Sequence, residues 1–142
     1  MPTCTLNGFK HYYEDEGSGE TLFMLHGALG SAHNFQEHVS LLSHEFRVIV
    51  PDMRGMGRSE HVKQTPPSAW FDDLVGLMDY LSIDQAHVFG TRLGSRVAMR
   101  LAIDRPERVR SLILNSPHIY LTAALDEAQN RVGGDGTELP TT

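Results

Sequence analysis

Cysteine is almost missing from this chain. A single residue, Cys4 among 142, cannot close a disulfide within the chain. That excludes a small disulfide-stapled scaffold and fits a reducing compartment, the cytoplasm, with a small buried or strand-edge role for the thiol. An excess of positive charge is also missing: 12 Lys and Arg face 18 Asp and Glu, a net charge of −6. Extended contact with a phosphate backbone is therefore not expected, and no nucleic-acid partner is read from the sequence. No apolar run approaches the about 18 residues of a membrane span, and no basic stretch with an apolar core opens the chain. Neither a membrane segment nor a secretory signal is expected. The 8 histidines have no cysteine set beside them and no His-x-x-x-His pair on one helix face, so no metal and no cofactor is expected.

What is present is a globular composition, 40% hydrophobic and 21% charged, enough for one domain with a real core. "TCTLNGFKHYYE" carries Asn7-Gly8 between two alternating segments, the strongest short hairpin signal. "TLFMLHG" (21–27) and "FRVIVPD" (46–52) are near-continuous apolar runs, as strands covered on both faces require. "AHVFG" (86–90) and "VRSLILN" (109–115) read as two more. Between them, a helix from about Ser31 to His44 places Phe35, Val39 and Leu42 on one stripe. A second, opened by Pro66-Pro67-Ser68, runs to about Leu81 with Leu74, Leu77, Met78 and Leu81 inward, leaving Asp72, Asp73 and Asp79 for the wet side. A third follows residue 90 and buries Val97, Ala98, Leu101 and Ala102.

Strands alternating with helices imply an α/β fold of three layers: a mostly parallel sheet with an N-terminal β-hairpin and helices on both faces. Residues 1–132 form the domain, with a polar helix over about 121–131, and 133–142 read as a disordered tail. Ligand sites in such sheets lie beyond the carboxyl ends of the strands, so the loops after His26, Asp52, Gly90 and Asn115 carry the interest.

Four of these stretches, in this order and spacing, resemble the N-terminal half of the α/β-hydrolase superfamily: "LHGALGS" (25–31), "PDMRGMGRS" (51–59), "GTRLG" (90–94) and "RPERVRSLIL" (105–114). The resemblance runs over about residues 5–120 and implies a truncated α/β-hydrolase fold, cut after the family's sixth strand. It also implies a chemistry: esters, lactones, peptides or halides opened through a covalent intermediate, without a metal. A serine on a sharp strand-to-helix turn attacks, an imidazole takes its proton and a carboxylate holds the imidazole. Two backbone N–H groups hold the oxyanion. By position these donors are Leu93 and Ala28, with Leu29 as the neighbouring choice.

The nucleophile position holds Arg92, and a guanidinium, always protonated, cannot attack a carbonyl. The family's order is nucleophile, acid, histidine; after residue 92 the sequence offers Asp104 and Glu107, then His118. Both acids belong to the turn before the last strand, about 15 Å from the elbow along a helix rising 1.5 Å per residue. Ser95 is the weak alternative nucleophile, and Thr91 a weaker one; Ser31 is read as a helix cap and Ser59 as a bond within its own loop. His26 is read mainly as a loop tie. Asp52 and Arg54 are expected to pair or to bond within their loop.

The expectation is a hydrolase-like protein without catalysis of its own. Its ligand site would be made of His26, Gly27, Arg92 and His118 around a small anion, unless Arg92 simply reaches solvent. A genuine serine-type hydrolase, using another nucleophile or completed by another chain, is the alternative. Strand 109–115, apolar and left at a sheet edge, is also expected to join two copies into a homodimer.

Overall fold

The structure, a computed structural model, describes residues 2–117. The readings made for His118, for 121–131 and for 133–142 lie outside the described residues. At the start of the chain, Asn7 (φ 50°) and Gly8 (φ 85°) both take positive φ. A two-residue hairpin turn of type I′ needs that at both central positions, and its twist then matches the flanking strands. Strand β1 (Thr3–Leu6) accordingly pairs antiparallel with β2 (Phe9–Glu16).

Strands β3 (Thr21–Leu25), β4 (Arg47–Pro51), β5 (Ala86–Thr91) and β6 (Val109–Asn115) run parallel to one another. The sheet has six strands in the order β1-β2-β4-β3-β5-β6, with β2 joined antiparallel to β4. Every residue of β3 is buried, which is why its sequence shows no alternation.

Helices α1 (Gln36–Leu42), α2 (Pro67–Tyr80) and α3 (Leu93–Asp104) complete the fold. The helix expected over 31–44 is two pieces, a 3₁₀ turn over Ala32–Phe35 and then α1. Ser31 starts it as a cap: its hydroxyl accepts from the His33 N–H at 3.3 Å, and the Asn34 amide oxygen accepts from the Ser31 N–H at 2.8 Å. Phe35 and Val39 are buried as the stripe required, and Leu42 is half-buried.

Helices α2 and α3 cover one face of the sheet over a core that includes Phe23, Leu25, Ile49, Leu77, Met78 and Leu101. Helix α1 covers the other over Leu22, Met24, Val48, Val50, Phe35 and Val39. Among the described residues, this layer reaches β5 through the Phe35–Phe89 ring contact, and an apolar groove of about 560 Å³ beside it is bordered by Met24, Phe46, Phe89 and Ile113. Cys4 is free and buried; burial, then the charge of Asp73, pushes its thiol pKa up, so it is a packing residue with little thiolate character.

Asp73 corrects the reading of α2. Expected on the wet side, it is buried and accepts four hydrogen bonds. Arg54 donates from Nε (2.9 Å) and Nη2 (2.6 Å), Asn7 from Nδ2 (2.9 Å), and His11 Nε2 stands 3.0 Å away. Burial pushes this carboxyl up, but the bonds from His11, Arg54 and Asn7 outweigh it and hold the pKa below the usual range. Arg54 likewise does not bond within its own loop. It leaves the loop, lays its guanidinium 4.1 Å from the Phe9 ring centroid and reaches α2. One carboxylate thus ties hairpin turn, glycine-rich loop and α2 together.

Removing that carboxylate strands a buried guanidinium. Asp73→Ala is expected to lose about 3–5 kcal/mol of unfolding free energy, whereas Arg54→Met with Asp73→Leu should lose clearly less. Urea denaturation of the three proteins checks this, and equal losses in both variants would contradict the ion-pair account.

Candidate functional site

The elbow between β5 and α3 is built by what cannot fit there. A Cβ on Gly94 would stand 2.2 Å from the Leu25 carbonyl oxygen and 2.8 Å from that of His26. One on Gly90 would stand 2.4 Å from the Gly94 oxygen. Both neighbours are backbone, so neither can yield, and only glycine lets the first turn of α3 press onto the end of β3. The residue between must reverse the chain sharply. Arg92 does so at φ 50°, ψ −114°, a region that costs a residue with a Cβ roughly 1–3 kcal/mol.

Two bonds hold the apex. The Arg92 N–H donates to the Asn115 carbonyl at the end of β6 (3.1 Å), and its own carbonyl accepts from the Ser95 N–H (3.0 Å). The Ser95 hydroxyl donates to that same carbonyl. Ser95 is fully buried, so its oxygen serves the elbow and is not presented to a ligand. The Arg92 side chain is exposed. Its Cβ and Cδ lie 3.4 and 3.6 Å from where a Cβ of Gly27 would be, so its stem runs along the loop after β3. Among the described residues its guanidinium makes no ion pair.

That loop supplies the remaining donors. Leu93 opens α3, so its N–H has no partner within the helix. Among the described residues no backbone carbonyl meets the N–H of Ala28 or Leu29. Leu29 takes φ 63° and is wholly exposed.

His26, grouped with the ligand-binding residues by sequence, is placed differently. It is buried; its Nδ1–H donates to the Gly27 carbonyl (2.7 Å) and its Nε2 accepts from the Met53 N–H (3.0 Å). Burial outweighs the Gly27 bond and the charge of Asp52 and pushes its pKa down, so the ring is neutral and both nitrogens are spent within the protein. It ties the loop after β3 to the one after β4 and offers no group to a ligand. Asp52 does the same work from the other side. It accepts from the Ala32 N–H (2.5 Å) and from the Arg58 N–H (2.8 Å), so its bonding extends beyond its own loop. Ser59 donates to the Asp52 carbonyl and accepts from the Tyr12 N–H (3.0 Å).

Among the described residues, the two acids that follow the elbow in sequence stand away from the apex. Asp104 ends the 12-residue helix α3, about 18 Å along its axis, and pairs with Arg100 at 3.2 Å. Glu107 lies beyond it, exposed, in a 3₁₀ turn over Pro106–Arg108. Among the described residues no group of three or more His, Cys, Asp or Glu is placed to hold a metal, and no helix is long and apolar enough to cross a membrane.

The arrangement can therefore present N–H donors and a cation to a small negative group. The residues that sequence reasoning missed are Asp73 and His11, which hold the loops. Asp73 follows Ala69 and precedes Leu77 by four residues each, the spacing of one helix face. That signal was in the sequence.

Comparison with known proteins gives this geometry a context. The family described as "alpha/beta hydrolase fold" matches residues 20–135. The 2-hydroxymuconate semialdehyde hydrolase of Pseudomonas sp. (strain CF600) is 38% identical over 112 residues, 75% of this chain and 40% of the relative. The 2-hydroxy-6-oxo-6-phenylhexa-2,4-dienoate hydrolase of Burkholderia cepacia is 32% identical over 118 residues, 79% of this chain and 41% of the relative. A solved meta-cleavage product hydrolase from Pseudomonas fluorescens IP01, in complex with acetates, superposes with a TM-score of 0.78 at 28% identity, covering 89% of this chain and 49% of that one. The chain thus spans less than half the length of these relatives.

The elbow generates a paired prediction. Arg92→Gly relieves the strained φ and should raise unfolding free energy by about 1 kcal/mol. Gly94→Ala drives a methyl into the Leu25 carbonyl and should lower it by about 3 kcal/mol or prevent folding. Urea midpoints measure both, and an unaffected Gly94→Ala would mean that α3 does not sit this close to β3.

Proposed function

The chain belongs to the α/β-hydrolase fold family, and from that premise we propose that it binds a small carboxylate or phosphate at its elbow and performs no serine-type hydrolysis by itself. The observation that carries this is Arg92 at the apex, exposed and strained, where the fold's chemistry needs a hydroxyl. A cation at a helix N-terminus opposes the macrodipole by a few tenths to about 1 kcal/mol. An anion held by the guanidinium and the N–H groups of Leu93, Ala28 and Leu29 would turn both into attraction. Gly27 contributes closeness, since it has no side chain to fill the space beside Arg92. His118 is the further ligand-side residue of this proposal. The names of the dienoate hydrolase and the acetate complex among the relatives favour a carboxylate over phosphate. They also favour the alternative of a genuine hydrolase, which would need another nucleophile or a second polypeptide bringing acid and histidine. The burial of Ser95 weighs against it.

A second reading concerns the partner. Strand β6 pairs with β5 on one side only among the described residues. It carries no proline, and Leu112 and Ile113 are 37% and 52% exposed. Such an edge is a template for another strand. Antiparallel pairing of β6 with the β6 of a second copy is self-complementary and closes as a two-fold dimer. Ser111, Ile113 and Asn115 also border the open groove, so the dimer seam would continue into an apolar surface.

Wild type and Arg92→Ser are both expected to show no stoichiometric fluorophosphonate labelling and no p-nitrophenyl ester turnover; labelling lost in Ser95→Ala would overturn the inactive reading. Acetate or phosphate at ten times its Kd should add about 1.4 kcal/mol, roughly 4 °C in Tm for each kcal/mol. An equal gain in Arg92→Ala would sink the anion site. For self-association, size-exclusion chromatography with light scattering should give a dimer that Ile113→Lys converts to monomer. A wild-type monomer at high concentration defeats it.

A further inference from the structure

Between α2 and the first turns of α3 lies a cleft of about 160 Å³. Pro67, Trp70 and Phe71 form the wall from α2; Leu93, Arg96, Val97 and Arg100 form the wall from α3. Its floor and its rim differ in chemistry. Phe71 and Val97 are buried and Trp70 is half-buried, whereas Arg96 and Arg100 are exposed. The volume suits a small organic molecule and not a drug-sized one.

The apolar wall is held in place before any ligand arrives. The Trp70 indole N–H donates to the Arg54 carbonyl at 3.0 Å, and Arg54 is itself clamped by Asp73. The Arg100 guanidinium carbon stands 4.4 Å from the Phe71 ring centroid, and its Nε donates to Asp104 at 3.2 Å. Stacking on a ring fixes the plane of a guanidinium and leaves its in-plane donors directed sideways. Arg96 and Arg100 are one helical turn apart on α3 and both line the cleft. A carboxylate between them would accept charge-assisted hydrogen bonds from both guanidiniums. An apolar body of limited size with one anionic end fits the floor and the rim together.

We propose that the cleft between α2 and α3 binds a small carboxylic acid with a flat apolar body, of about the size of benzoate. The ring lies against Trp70, Leu93 and Val97, and the carboxylate meets Arg96 and Arg100. This site shares Leu93 with the elbow anion site, by its side chain rather than its N–H, and does not rest on that reading.

The chain contains a single tryptophan, and it is Trp70, so the one indole N–H resonance comes from a wall of this cleft. Titration of the full chain with benzoate should shift that resonance with saturation in the millimolar range. Benzyl alcohol, a ring without the charge, and phosphate, a charge without the ring, should shift it at least tenfold more weakly. Arg96→Gln and Arg100→Gln should each weaken benzoate at least fivefold, while Arg92→Ala leaves it unchanged. The cleft proposal is overturned if benzoate does not move the Trp70 signal, or if benzyl alcohol binds equally well. It is overturned too if binding survives both arginine substitutions but is lost in Arg92→Ala, because benzoate would then occupy the elbow. Loss of phosphate stabilisation at the elbow with benzoate binding intact would defeat the elbow reading alone.

Discussion

No atom fits between the first turn of α3 and the end of β3, and most of the site follows from that contact. Gly94 lies where a methyl group would strike the Leu25 carbonyl, and Gly90 where one would strike Gly94. The helix must therefore start abruptly, with its N-terminus beside the loop after β3. The apex residue of the turn between the glycines has no choice of backbone conformation, whatever its side chain. That is how Arg92 comes to occupy φ 50°, a conformation that nothing in its own chemistry favours. The strain is local to one residue, and the close packing that enforces it is distributed over the core on both sides of β3.

The second constraint is electrostatic and acts on the loops. Two buried carboxylates each serve several elements: Asp52 holds the N–H groups of Ala32 and Arg58, and Asp73 holds Asn7, His11 and Arg54. A carboxylate with its lone pairs filled in a low-dielectric interior fixes its partners in direction as well as distance. His26 adds a neutral link between the loops after β3 and β4. Three polar side chains that look like site residues by type are in this way committed to architecture. The surface they support is left to backbone donors and to arginines.

The sequence made the frame legible because the frame rests on short-range rules. Asn7-Gly8 specified a turn of one handedness, and the continuous apolar runs of β3 and β4 could only be strands covered on both faces. It was less informative about polar residues inside. Asp73 reads as one of three aspartates on a wet helix face until its four-residue spacing to Ala69 and Leu77 is noticed, and its partner lies 19 positions earlier in a loop. Arg54 and Asp52 are two residues apart, which suggested a pair or bonds within one loop; Asp52 does bond the Arg58 N–H of that loop, whereas Arg54 leaves it for the buried Asp73 on α2. The break between the 3₁₀ turn and α1 was also invisible, since the apolar stripe of Phe35 and Val39 continues through it. The cleft beside Trp70 could not be read at all. It depends on the angle between two helices, which no local pattern states.

Arg96 and Arg100 lie one turn apart on α3, and Arg92 precedes its first turn, in a chain whose net charge is −6. Their positions are not equivalent. Arg100 lies one turn before the end of α3 and has Asp104 and the Phe71 ring beside it. Arg92 lies at the N-terminus, where the exposed N–H groups already present partial positive charge. Electrostatic demand for an anion is therefore greater at Arg92 than at Arg100, while the apolar surface that could hold an organic body lies farther along, between Trp70 and Val97. The two features point to different ligands at neighbouring places. A compact, fully solvated anion gains most at the apex, where charge is least compensated and little apolar surface is available. A larger acid gains from removing its ring from water, at about 25 cal/mol per Å² buried, and needs only part of the cationic field to orient its carboxylate. Substituting the apex arginine leaves that second balance untouched, because neither the apolar floor nor the Arg100 stacking depends on it.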